Sequence, residues 1–104
     1  MEFGTVSARG GRMKLTLNDL QEYAQMDTHQ RMQPRGREIR DELNLRMKWM
    51  PKKWRRLIMY RYLLGYHPKR VADEMHVGMR TVYYWTRELG RWLKDKDEYL
   101  DEIT

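Results

Sequence analysis

The sequence contains no cysteine and a single phenylalanine among its 104 residues. Without cysteine the chain can form neither a disulfide nor a metal site with thiolate ligands, and a reducing compartment is compatible with it. No apolar run approaches the roughly 20 residues that a bilayer-spanning helix needs, and no signal-peptide pattern opens the chain. These absences predict a cytoplasmic protein that does not contact a membrane.

The residue patterns on which enzymes depend are also missing. His29, His67 and His76 are scattered without a second ligand at metal-binding spacing, and the latter two are expected in structural or backbone-contacting roles. No phosphate-binding glycine loop and no nucleophile motif occurs. The acids of residues 95–104 fall in a segment expected to fray, where nothing would hold two carboxylates in catalytic register. We therefore predict no enzyme activity, no catalytic residue, no metal and no cofactor.

Aliphatic side chains are sparse, and nine methionines with four tryptophans supply much of the apolar volume. This volume suffices for one modest helical core and is too small for a buried catalytic cavity. Trp49, Trp54, Trp85 and Trp92 are therefore assigned to the core. The alternative is that one or two of them contact a second copy of the chain or another protein.

The net charge of +6 is unevenly distributed along the chain. Residues 51–94 contain eleven Lys and Arg against three acids, a net charge of +8, whereas residues 95–104 sum to −4. Residues 1–17 sum to +2 and residues 18–50 to zero. A cationic segment of this kind is typical of nucleic-acid-binding domains, and the alternative is a solvated face that only keeps the protein soluble.

Two segments precede the cationic one. Residues 1–17 have no helical period, and we interpret them as a disordered basic arm or as residues from a cloning vector, with a native start at Met13. The alternative is an arm that enters a DNA minor groove through Arg9 and Arg12. Residues 18–50 are interpreted as a helical lead-in.

Helix signals divide the lead-in. Asn18 and Gln21 resemble a capping box that starts a first helix. Pro34 and Gly36 are expected to break that helix. Apolar residues at near-helical spacing then predict a second helix over residues 37–49.

Residues 51–94 are predicted to form three helices separated by two tight turns. The first of these helices is expected to start at Pro51 and to end at Gly65, and the second to start at Pro68. Val71, Ala72 and Met75 are the inward-facing residues of the second helix.

A short turn over residues 76–79 then leads to a final helix that starts at Thr81. Two helices joined in this way are typical of a helix-turn-helix DNA-binding domain, which we assign to residues 51–94. Residues 95–104 follow as an acidic C-terminal tail. The predicted fold class is a small all-α domain of about five helices.

The final helix has two faces when its residues are placed at 100° intervals. The inward face consists of Val82, Thr86, Leu89 and Leu93, flanked by Trp85 and Trp92, and the outward face of Arg80, Tyr83, Tyr84, Arg87 and Arg91. A recognition helix inserts its N-terminal residues deepest into the major groove, where Arg can fork onto a guanine edge. The predicted base contacts are Arg80, Thr81, Tyr83, Tyr84 and Arg87. The predicted phosphate contacts are Lys52, Lys53, Arg55, Arg56, Lys69, Arg70, Arg91 and Lys94. The alternative for each of these cations is a solvated surface position.

Residues 50–93 also contain a set of residues at a spacing that recurs in a known protein family. Met50-Pro51 is followed after nine residues by Arg61-Tyr62, with Gly65 and Val71-Ala72 in step. Together with the turn of residues 75–82, this order resembles region four of bacterial sigma factors, which binds the upstream promoter element. The resemblance spans 44 of the 104 residues, from Met50 to Leu93, without a gap.

Two departures from that family pattern have consequences. Gly78 occupies the position of the serine that normally caps the recognition helix, and His67 occupies the cap position of the preceding helix. Glycine can still serve as an N-cap, although the side-chain contact to the backbone is lost. Residues 1–49 are too short for a promoter-melting domain, and we therefore do not expect a complete sigma factor.

Small proteins with such a region include phage late-gene regulators of the ArpU/RinA type and Q-type antiterminators, and the chain is similar to them. The resemblance implies a sequence-specific, double-stranded-DNA-binding transcriptional regulator of a phage or mobile element, acting near a promoter in a bacterial or infected host cell. RNA polymerase and a second copy of the chain are further candidate partners.

Two alternative functions remain open at the level of sequence. One is a small terminase subunit, which initiates DNA packaging and assembles into a ring that light scattering detects. The other is a module that binds RNA polymerase or a sigma factor without contacting DNA. Absence of duplex binding in a gel shift at about 50 mM salt favours this last alternative.

Overall fold

Helices account for most of the chain in the computed structural model, which describes the backbone of residues 13–103 and the side chains of residues 13–96. The helices are α1 (Leu17–Gln25), α2 (Thr28–Met32), α3 (Pro34–Met47), α4 (Lys52–Ile58), α5 (Pro68–Met75) and α6 (Met79–Ile103), and α4 continues as a π-helix over Met59–Leu63. The described residues contain no strand, and the predicted all-α fold is confirmed. Arg9 and Arg12, the residues of the hypothetical minor-groove arm, lie outside the described residues.

The core consists of aliphatic side chains from every long helix and from the segment that precedes α1. The fully buried side chains are Leu15, Leu20, Ile39, Leu43, Leu57, Ile58, Val71, Val82, Leu89 and Leu93. Leu15 corrects the interpretation of residues 1–17 as disordered throughout, because its side chain is 0 % exposed. The segment around it is an extended stretch of four residues, too short to produce a periodic apolar pattern.

The predicted capping box of α1 is wrong by two residues. The hydroxyl of Thr16 accepts a hydrogen bond from the Asp19 amide at 3.2 Å, and the Asp19 carboxylate accepts one from the Thr16 amide at 2.9 Å. This reciprocal pair satisfies two amides that the first turn of a helix leaves without partners. Asn18, which was predicted to cap the helix, lies inside its first turn.

Pro34 and Gly36 begin a helix where the sequence suggested that they would break one. Proline lacks an amide hydrogen that the first helical position does not need, and Pro34 takes that position in α3. Gly36 is buried because the end of α2 passes directly over it. A Cβ at Gly36 would lie 2.6 Å from both the Cα and the carbonyl oxygen of Arg31.

The π-helix after α4 ends at Gly65, which has a φ of +71° and confirms the predicted terminator. Its last carbonyl groups have a partner in the guanidinium of Arg31, which donates to Leu63 O at 3.0 Å and to Tyr62 O at 3.4 Å. The same guanidinium donates to Tyr23 O at 3.2 Å and lies 4.4 Å from the Tyr23 ring centroid. Arg31 therefore ties α1, α2 and the π-helix together.

A buried ion pair joins three further parts of the fold. Arg46 Nε donates to the Glu42 carboxylate at 2.9 Å, and both side chains are buried. The remaining guanidinium nitrogens donate to Leu93 O at 3.4 Å and to Met13 O at 3.2 Å. Arg46 thereby holds the N-terminal segment and the middle of α6 against α3.

The acidic C-terminal segment continues α6. The helix runs for 25 residues from Met79 to Ile103, whereas the sequence suggested a frayed tail from residue 95. Residues 91–103 contain neither proline nor glycine, and nothing in their sequence stops the helix. Since the helix rises about 1.5 Å per residue, the backbone of Asp97 lies roughly 25 Å along the axis from Arg80.

Candidate nucleic-acid interface

The candidate interface is built on α5, α6 and the turn between them. Val71 and Ala72 of α5 are buried and Met75 is half-buried, as predicted. His76 has a φ of +58°, a left-handed conformation that ends α5. The Gly78 carbonyl then accepts hydrogen bonds from the Thr81 and Val82 amides, and α6 starts two residues before the predicted position.

The side chain of His67 caps α5. Its Nδ1 accepts a hydrogen bond from the Lys69 amide at 3.1 Å, and Pro68 occupies the first helical position. The structural role predicted for His67 is confirmed.

The two faces of α6 are as predicted. Val82, Leu89 and Leu93 are fully buried, and Thr86, Trp85 and Trp92 are half-buried beside them. The outward residues Arg80, Tyr83, Tyr84, Arg87 and Arg91 are exposed, with Tyr83 at 48 % and Tyr84 at 54 %. Thr81, which was grouped with the base contacts, is half-buried and does not share this exposed face.

The arginines of the outward face differ in their partners. Arg91 pairs with Glu88 on the next turn at 3.0 Å, which leaves its guanidinium partly neutralised. Arg80 and Arg87 make no ion pair within the part of the chain whose side chains are described. Because α6 is continuous, its acidic end cannot fold back onto Arg80. The first two turns of α6 therefore present positive charge that is not compensated by a neighbouring acid.

On α4 the four predicted phosphate contacts separate into two groups. Lys53 lies against α6, with its Nζ 5.2 Å from the Trp85 ring centroid and 5.6 Å from that of Trp54. Lys52, Arg55 and Arg56 are exposed, and among residues 13–96 none of the three makes an ion pair. Lys53 therefore contacts α6 through Trp85.

The cations at the start of α5 and the end of the cationic segment are also exposed. Arg70 stacks on Tyr66, with its guanidinium carbon 3.8 Å from the ring centroid, and Tyr66 in turn stacks on Tyr60 at 6.0 Å. This stacking restricts the rotamers of Arg70. Lys69 is exposed beside it, and Lys94 lines a shallow cleft with residues 14–18.

One residue that was not among the predicted DNA contacts, Arg61, joins the π-helix to α6. Arg61 is half-buried, and its Nη1 donates to the hydroxyl of Thr86 at 3.0 Å. Its guanidinium carbon also lies 5.8 Å from the ring centroid of Tyr83. No local sequence pattern indicates a contact between side chains that are separated by 25 residues.

The assignment of all four tryptophans to the core is wrong for one of them. Trp54 and Trp92 meet edge to face at 5.7 Å, and Trp85 packs beside the same core. Trp49 is 75 % exposed, because it falls in the turn after α3 while its neighbour Met50 points inward. Trp49 is therefore free to contact a partner protein.

The two kinds of tryptophan predict different effects on stability. Trp49→Ala should change the free energy of unfolding by no more than about 0.5 kcal/mol, since it removes few contacts. Trp54→Ala should lower the same quantity by about 2 kcal/mol through lost packing against Trp92. Urea titration followed by circular dichroism measures both, and equal losses would contradict the structural difference.

Comparison of the chain with protein-family profiles, with curated proteins and with solved structures finds no match. Within residues 13–103, no helix is both long enough and apolar enough to cross a membrane. Among the described residues, no three or more His, Asp or Glu side chains form a group that could hold a metal ion.

Proposed function

We propose that the protein is a sequence-specific double-stranded-DNA-binding regulator of transcription in which α5 and α6 act as a helix-turn-helix. The observation that carries the proposal is the outward face of α6. Arg80, Tyr83, Tyr84 and Arg87 are exposed together on the first turns of a helix whose opposite face is buried. Such a helix fits the major groove of B-DNA, and its N-terminal residues reach the base edges.

The cations around α6 support this proposal by their positions. Arg80 and Arg87 are suited to fork onto guanine, because neither is engaged by a described acid. Arg70, held by Tyr66, and Lys53, held beside Trp85, are suited to bind phosphate on either side of the groove. Phosphate contacts set the affinity and the register, whereas the base contacts select the sequence.

The resemblance to region four of sigma factors extends the proposal to the site of action. We propose that the protein acts at or near a promoter of a phage or mobile element, with RNA polymerase as a second partner. Exposed Trp49, with Leu45 one turn before it at 41 % exposure, offers an apolar contact for a protein partner.

Replacing Arg80 and Lys52 separately should distinguish base reading from phosphate binding. Arg80→Ala should weaken binding to the selected site by about 1–3 kcal/mol and relax preference at one base position. Lys52→Ala should weaken binding to all sequences alike and reduce the slope of log K against log salt by about one. Selection from a random duplex library identifies the site, and fluorescence anisotropy at several salt concentrations measures the affinities.

Arg37→Ala is the matched control, since it removes the same charge from an exposed position on α3. Its affinity for the selected site should stay close to that of the unmodified protein. If Arg80→Ala and Lys52→Ala both weaken all sequences equally, α6 does not read bases. If the unmodified protein binds no duplex at about 50 mM salt, the proposed function is wrong.

A further inference from the structure

Arg61 occupies an unusual position beside the outward face of α6. It belongs to the π-helix, yet its guanidinium donates to the Thr86 hydroxyl of α6 at 3.0 Å. The guanidinium carbon lies 5.8 Å from the Tyr83 ring centroid. Among the described residues Arg61 has no carboxylate partner. Its described contacts are therefore with α6 and with aromatic rings.

Thr86 is fixed by a second hydrogen bond. Its hydroxyl donates to the Val82 carbonyl at 2.8 Å, one turn back along α6. The donation locks the threonine rotamer and leaves a lone pair of the hydroxyl oxygen for the Arg61 donor. Through Thr86, the guanidinium of Arg61 is therefore held at a fixed position relative to the backbone of α6.

The other side of Arg61 is fixed to the core. The adjacent Tyr62 is buried, and its ring centroid lies 5.7 Å from the Arg61 guanidinium carbon. The carbonyl groups of Tyr62 and Leu63 accept hydrogen bonds from Arg31. Burial raises the pKa of the Tyr62 hydroxyl, while the charge of Arg61 acts to lower it. The backbone that follows Arg61 is therefore held in place by Arg31 and by the burial of Tyr62.

We propose that Arg61 is a positioning residue that fixes the Tyr83 ring on the outward face of α6 and so sharpens discrimination between DNA sequences. The Arg61 cation attracts the face of the Tyr83 ring. Its hydrogen bond to Thr86 holds the guanidinium at a fixed distance from α6. A ring with one orientation loses less conformational freedom on binding than a ring with several. The inference rests on the proposed function, because discrimination is defined only for a DNA-binding protein.

Three variants test the link without removing a residue of the outward face. Thr86→Val removes the acceptor and keeps the shape and the Arg61 charge, whereas Arg61→Met removes the charge and Arg61→Lys keeps it. We expect Thr86→Val and Arg61→Met to lower the ratio of non-specific to specific Kd about threefold to tenfold. Arg61→Lys should recover part of that loss. Circular dichroism confirms that each variant is folded.

A double-mutant cycle identifies Tyr83 as the residue through which Arg61 acts. In a Tyr83→Ala background, Arg61→Met should have little further effect on the Kd ratio. The matched background is Tyr84→Ala, in which Arg61→Met should keep its full effect. Equal effects of Arg61→Met in both backgrounds would refute the link to Tyr83.

A measurement without DNA separates this inference from the proposed function. In NMR spectra of tyrosine-labelled protein, the ring signals of Tyr83 should shift in Thr86→Val and Arg61→Met, and those of Tyr84 should not. Unchanged Tyr83 signals together with an unchanged Kd ratio would overturn the positioning role. Equal weakening of specific and non-specific binding, with a salt slope reduced by about one, would show a direct phosphate contact instead. If the unmodified protein binds no duplex, the proposed function fails and the ring signals alone decide whether Arg61 orients Tyr83.

Discussion

Replacing Arg46 with methionine is expected to lower the free energy of unfolding by about 3–5 kcal/mol. The guanidinium is buried at 2.9 Å from the Glu42 carboxylate, and methionine removes this charge from beside a buried acid. The carbonyl groups of Met13 and Leu93 lose a donor in the same step. Removing one partner of a buried ion pair costs far more free energy of unfolding than the intact pair contributes.

Urea unfolding followed by circular dichroism measures this loss. Arg37→Met is the control, because Arg37 is exposed and should change stability by less than about 0.5 kcal/mol. The double variant Arg46→Met/Glu42→Leu should be more stable than Arg46→Met alone, since it removes the carboxylate as well. An Arg46→Met variant as stable as Arg37→Met would show that this pair does not hold α3 to α6.

Replacing Gly36 with alanine is expected to lower the free energy of unfolding by about 3 kcal/mol. The added Cβ would lie 2.6 Å from two backbone atoms of Arg31 and 2.7 Å from the Gln30 carbonyl oxygen. Backbone atoms cannot rotate away as a side chain can, so α2 and α3 must separate. Without this contact, alanine in a helix would instead stabilise it by about 1 kcal/mol over glycine.

Gly78→Ser provides the matched comparison for this substitution. A Cβ at Gly78 would meet no atom within 4 Å. Gly78 precedes α6 and has no side chain, whereas the hydroxyl of a serine there could accept a hydrogen bond from an amide of the first turn. Gly78→Ser should therefore raise stability by a few tenths of a kcal/mol. Thermal unfolding of both variants measures the contrast. A stable Gly36→Ala variant would mean that α2 does not pass close to α3.

The parts of the fold that sequence reasoning predicted well depend on local signals. Gly65 and Pro68 bound the turn before α5, and each acts through its own backbone conformation. The buried stripe of Val82, Leu89 and Leu93 follows from helical period alone. The exposed arginines and tyrosines on the other side of α6 then follow by geometry.

The errors concern residues whose environment depends on how neighbouring segments of the chain meet. Pro34 and Gly36 carry the local signature of a helix break, yet Pro34 takes the first position of α3 and Gly36 lies beneath the end of α2. Trp49 has a large apolar side chain of the kind that usually lies in a core, yet it falls in a turn that points it outward. Leu15 belongs to a segment without period and is nevertheless enclosed by the core.

The amino-acid sequence alone determines that this chain is all-α, where α5 begins, and which side of α6 is cationic. These properties follow from periodicity and from backbone preferences of glycine and proline, which act within one or two helical turns. Only the tertiary structure decides that Arg46 and Arg61 bind α6 from other helices, and that Trp49 lies outside the core. The two arginine placements depend on contacts between residues 47 and 25 positions apart in sequence, and no local preference encodes such a contact.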